Sequence, residues 1–140
     1  MHCASARRTR KASDAQTHRK RRLMAINLTR LAEELAANED VLLALAANGD
    51  IAERSRVVDV HFKGAQDAIE ALAEDAGALG FRFIDFGEFE DGDWAADFQV
   101  DGPVTRPALS ALITRALEIE LSHGVEFDGW GCEAETGTGD

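Results

Sequence analysis

Residues 81–101, FRFIDFGEFEDGDWAADFQVD, decide the fold. The first half is rich in phenylalanine (Phe81, Phe83, Phe86, Phe89) and reads as a strand. Glu90-Asp91-Gly92-Asp93 follows, and Asp91-Gly92 supplies the two residues that tolerate positive φ in a tight turn. The second half alternates: Trp94, Ala96, Phe98 and Val100 fall on one side, and Ala95, Asp97, Gln99 and Asp101 on the other. Period two is the signature of a half-buried strand, so this stretch is an antiparallel hairpin.

Each side of the hairpin carries a helix and then a further strand. Upstream, Ala65, Ile69, Leu72, Ala76 and Leu79 form one apolar helical stripe that Gly80 ends. Before it, RVVDVHF (56–62) alternates, with Val58, Val60 and Phe62 opposed to Asp59 and His61. Downstream, a helix is expected from about Thr105, with Pro107 in its first turn. Its stripe is Leu109, Leu112, Ile113, Ala116 and Leu117, and it stops at His123-Gly124. VEFDGWG (125–131) is the last strand. The order β-α-β-β-α-β predicts an α+β, ferredoxin-like split βαβ domain over 51–133, a four-stranded antiparallel sheet with two helices on one face.

Residues 24–50 read as an N-terminal helical extension. Leu28, Leu31, Leu35, Leu42 and Leu45 recur at helical spacing, while Asn38 before Glu39-Asp40 allows either one helix or two. Residues 1–23 are read as a disordered basic arm that need not be native, because periodicity begins only at Met24. Residues 134–140 are read as a disordered tail.

The chain has 140 residues, 45% of them apolar, enough to bury a core without disulfides or metal. No run is long enough to cross a bilayer. Cys3 and Cys132 lie at opposite ends and make neither a disulfide framework nor a zinc motif, which points to a reducing cytosol. The net charge of −11 is unevenly spread. Residues 1–23 hold eight basic residues and one acid, Asp14, leaving seven basic and 25 acidic groups to the rest. The folded part is therefore strongly acidic, repels nucleic acid and favours a basic partner.

Strand parity puts Val125 and Phe127 toward the helices and sends Glu126, Asp128 and Trp130 to the other face. Asp59, His61, Asp97, Gln99 and Asp101 are expected there too. RNA-recognition modules share this layout but present aromatics and basic groups, so this face has the wrong sign for RNA. Trp130 has two readings: a partner-binding anchor, since tryptophan is enriched in hot spots, or a ring folded over the sheet edge to staple the last strand. Enzyme motifs are lacking: no nucleophile elbow, HExxH or phosphate-binding glycine loop is present. DFGEFEDGD (85–93) fails the calcium-ligand pattern, and Ser110 and Cys132 read as structural. His61 reads as a surface residue and His123 as a cation at a helix C-terminus.

HFKGAQDAIEALAEDAGALGFRF (61–83), EFEDGDW (88–94) and above all VEFDGWG resemble the ribonuclease E inhibitor family, regulator of ribonuclease activity B type, over about residues 39–133. Phe127 stands where the family's ending carries tyrosine, and the basic leader is not part of the pattern. The resemblance implies a ferredoxin-like fold and a cytoplasmic, non-enzymatic bacterial protein without cofactor. Such proteins bind the arginine-rich, non-catalytic region of ribonuclease E and alter which transcripts are cut. On this reading Asp59, Asp97, Asp101, Glu126 and Asp128 steer and bind the partner, with Trp130 as anchor. The folded domain binds no nucleic acid or membrane directly and is a monomer or weak dimer. The alternative is a small-molecule-sensing ferredoxin-like module, which needs a pocket between protomers or at a helix–sheet edge.

Overall fold

A computed structural model describes residues 26–136 apart from Asp91. The basic arm, the last four residues and one turn residue of the hairpin thus lie outside the described part. The order is α1 (Leu28–Ala47), β1 (Arg56–Gly64), α2 (Gln66–Leu79), β2 (Arg82–Glu88), β3 (Trp94–Gly102), α3 (Arg106–His123) and β4 (Glu126–Gly131). The strands lie β2-β3-β1-β4, and every neighbouring pair is antiparallel. This is the ferredoxin-like α+β layout, preceded by one helix.

Local chemistry sets the element ends. Asn27 accepts a hydrogen bond from the Arg30 amide (3.0 Å) and starts α1, which then runs unbroken through Asn38, so the extension is one helix. Thr105 caps α3, and Gly80 (φ 90°) and Gly124 (φ 66°) close α2 and α3 in the left-handed region. Between the layers, Val58, Val60, Phe62, Ala96, Phe98 and Phe127 are buried against Ile69, Leu72, Leu109, Ile113 and Ala116. The Phe62 ring lies 5.8 Å from Phe98 and 5.7 Å from Phe127 between centroids, within the range of favourable aromatic pairs.

Two bulges change the parity that simple alternation predicts. From Phe62↔Phe127 to Val60↔Trp130, β1 spans two residues and β4 three. The extra residue is absorbed around Gly129, whose φ of 108° suits only glycine. Trp130 is thereby returned to the helix side. It is 0% exposed, and its Nε1 donates to Asn38 Oδ1 at 2.7 Å. Its expected outward placement is therefore corrected: Trp130 is a core residue that joins the last strand to α1. In β2, Phe83 faces Phe98 and Asp85 faces Asp97, so the extra residue is Ile84. That step places both Phe83 and Phe86 toward the helix side and Asp85 on the outer face.

Helix α1 packs against α3, on the helix side of β4. Its most buried stripe is Arg30, Glu34, Asn38, Val41 and Leu45, whereas Leu28 is exposed. The expected leucine stripe is thus rotated, because α1 docks through an ionic cluster as well as through apolar contacts. At the other end, Arg56 donates to Asp50 (2.6 Å) and to the carbonyls of Ile51 (2.8 Å) and Glu133 (3.0 Å). Asp50 also accepts from the Glu135 amide, and the Ile51 amide donates to the Glu135 carbonyl. The segment read as a tail from residue 134 is thus tied down as far as Glu135.

Candidate functional site

The outer face of the sheet is built by alternation on β1 and β3. Asp59 and His61 alternate with Val58, Val60 and Phe62, and Asp97, Gln99 and Asp101 with Ala96, Phe98 and Val100, as the burial of these strands records. Register then sets the neighbours. Asp59 faces Gln99, His61 faces Asp97, Val57 faces Asp101, and Lys63 faces Glu126 on the other side. The structure brings Asp59, Asp97, Asp101, Glu126 and Asp128 onto one face, and leaves Trp130 out of it.

These carboxylates form a hydrogen-bonded mosaic. Arg82 makes a two-pronged contact with Asp101 at 2.8 and 2.9 Å, and its hydrogen bonds hold the Asp101 carboxyl below the usual range. His61 Nδ1 lies 2.8 Å from Asp97, Gln99 donates to Asp59 at 3.0 Å, and Lys63 lies 3.5 Å from Asp128. Asp85, which parity reasoning missed, stands directly across from Asp97. Like charges directly opposed on a sheet are unfavourable until a cation is supplied between them. The row Asp85–Asp97–His61 crosses three strands. Among the described residues, Arg82 pairs with Asp101 and Lys63 with Asp128 on this face.

A second group of charges is buried beneath α1. Arg30 pairs with Glu120 (2.9 Å) and with Glu34 (3.4 Å), and donates to the Phe127 carbonyl (3.3 Å). Glu120 also accepts from the Phe127 amide at 2.7 Å, linking the cluster to β4. Among the described residues Glu34 Oε1 has no hydrogen-bond partner, and burial pushes the Glu34 carboxyl up despite Arg30. The cluster fixes α1 rather than meeting a ligand, since its side chains are covered. Its signal in the sequence is the four-residue spacing Arg30–Glu34–Asn38, which lies between the leucines. Cys132 is half-buried, and burial raises its thiol, which suits a structural residue. Among the described residues no group of histidine, cysteine and carboxylate side chains is arranged to hold a metal ion, and no helix is long and apolar enough to cross a membrane.

Residues 35–132 match the model of the family described as Regulator of ribonuclease activity B. The chain belongs to that family. Three relatives of the same description agree. One from Shewanella denitrificans is 33% identical over 72% of this chain and 82% of its own length. One from Pseudoalteromonas atlantica is 30% identical over 71% of this chain and 90% of its own. One from Aeromonas salmonicida is 30% identical over 77% and 96%. Within this chain the matched family region takes in the whole acidic face, the Asn38–Trp130 hydrogen bond and Glu120 of the buried cluster, while Arg30 and Glu34 lie just before it.

Proposed function

We propose that this chain is a cytoplasmic, non-catalytic regulator of ribonuclease activity that binds the basic, non-catalytic region of ribonuclease E through the outer face of its sheet. Membership of the family supports the regulatory part. The surface supports the mode of binding, and the observation that carries it is the opposed pair Asp85 and Asp97. It lies in a face where Asp101 and Asp97 keep more than half of their side-chain surface exposed. An arginine-rich segment laid on this face relieves the like-charge contact and exchanges intramolecular pairs for bidentate ones. Occupying that segment keeps RNA or other proteins off it, which alters cleavage without chemistry on this chain. Asp59, Asp97, Asp101, Glu126 and Asp128 supply the charge, and Asp85 joins them.

The test is the affinity of the full chain for the isolated non-catalytic region of ribonuclease E, measured by calorimetry at several salt concentrations. The triple variant Asp97→Lys, Asp101→Lys, Glu126→Lys is expected to bind at least about tenfold more weakly, a loss of roughly 1.4 kcal/mol, with a flatter salt dependence. A folded triple variant that binds as well as the wild type removes this face as the interface.

A further inference from the structure

With Trp130 in the core, the outer face shows no aromatic anchor among the described residues, and three of the exposed apolar side chains lie instead along one edge of the sheet. Phe83 (40% exposed), Ile84 (49%) and Phe89 (52%) lie together on β2 and the turn that follows it. The Phe83 ring lies tilted at 5.3 Å from Phe86, and Phe86 meets the half-buried Trp94 edge to face at 5.7 Å, so the apolar edge continues into the sheet as an aromatic row. β2 is an end strand of the sheet, paired only with β3 among the described strands. The bulge at Ile84 sorts its side chains, sending Phe83 and Phe86 to the helix side and Asp85 to the outer face. One step of the edge is already blunted, because Asp85 Oδ1 accepts from the Phe86 amide at 2.9 Å.

We propose that the β2 edge is a docking site for an extended segment of the partner in which basic and apolar residues alternate. In an extended chain successive side chains point to opposite faces. Laid along β2, such a segment sets its apolar residues against Phe83, Phe86 and Trp94 and its cations toward Asp85, Asp97 and Asp101. Ile84 and Phe89 cover the seam. Charge selects the occupant. Asp85, Glu88 and Glu90 are exposed along this edge, and Arg82, the cation of this strand, is engaged by Asp101. A second copy of this chain paired edge to edge brings two acidic rims together, whereas a basic segment neutralises one. The proposal deepens the reading above by naming where along the acidic sheet the partner gains its apolar contacts.

Two measurements on the full chain separate the two readings. In the calorimetric assay, Ile84→Ser with Phe89→Ser is expected to weaken binding of the ribonuclease region by about tenfold or more, with the salt dependence retained, since no charge is altered. Both side chains are exposed, so an unchanged melting curve is expected to accompany the loss. Equal binding by this double variant, with the charge-reversal variant impaired, overturns the edge site and keeps the outer face. Loss in the double variant alone keeps the edge and overturns the face. The second measurement titrates the isotope-labelled chain with a short synthetic peptide of alternating arginine and valine. Amide shifts over residues 82–90, and slowed hydrogen exchange there, are expected. Shifts confined to β1 and β4, or no shifts at all, overturn the proposal. A wild-type dimer that the double variant converts to monomer also overturns it, assigning the patch to self-association. So does protection of β2 in the free chain that disappears when the basic residues of 1–23 are changed to glutamine.

Discussion

Whether Trp130 faces the helices or the outer surface is settled by the residue before it. Gly129 holds φ at 108°, the strand gains a residue, and the indole turns inward to meet Asn38. Gly129→Ala is expected to cost about 1–3 kcal/mol, because an L side chain is strained at that φ. Trp130→Ala removes the largest fully buried side chain and leaves Asn38 Oδ1 without its donor. The expected loss is roughly 3–5 kcal/mol in urea unfolding. Partner affinity measured on the fraction still folded is expected to stay near wild type, since the ring makes no part of the outer face. A stable Trp130→Ala protein that has lost binding contradicts this placement.

At the scale of elements, α1 is attached by a buried cluster in which Arg30 faces both Glu34 and Glu120. Removing the cation takes a shared ion-pair partner from two buried carboxylates, so Arg30→Met is expected to destabilise by about 3–5 kcal/mol, read by chemical unfolding. Removing the Glu34 charge, which burial disfavours, does the opposite. Glu34→Gln keeps an acceptor for Arg30 and is expected to raise stability at neutral pH by about 1 kcal/mol. A Glu34→Gln protein less stable than wild type at pH 7 shows that the charge itself holds α1 down.

For the whole molecule these groups set two limbs of a pH profile. Burial raises the Glu34 carboxyl above its ordinary 4.5. Its contribution is therefore fully present below that value and is lost as pH rises through the folded-state value. Asp50 behaves in the reverse sense. Burial alone favours its neutral form, but hydrogen bonds from Arg56 and the Glu135 amide, with the charge of Arg56, hold it below 3.8. Its contribution is present above 3.8 and is lost as pH falls through the folded-state value. Stability measured across pH is expected to peak between the two limbs. Glu34→Gln is expected to flatten the upper limb and Asp50→Asn the lower. An upper limb unchanged in Glu34→Gln assigns it to another group.

The sequence by itself determined the element order, the sheet layout and the acidic face. Alternation in 56–62 and 94–101 fixes which side of a regular strand is buried, and the periodic stripes at Ile69, Leu72, Ala76 and at Leu109 through Leu117 fix two helix faces. Those signals are local, because each apolar residue buries itself by the geometry of its own element. The family ending VEFDGWG was legible in the same way, as a string. Only the tertiary structure decided the fate of Trp130, the outward turn of Asp85, the gathering of Phe83, Ile84 and Phe89 at one edge, and the polar stripe of α1. Each depends on an extra residue in a ladder or on a partner far along the chain, such as Asn38 for Trp130 and Glu120 for Arg30. A bulge moves every later side chain to the opposite face, and pattern reading carries no count of residues on the neighbouring strand.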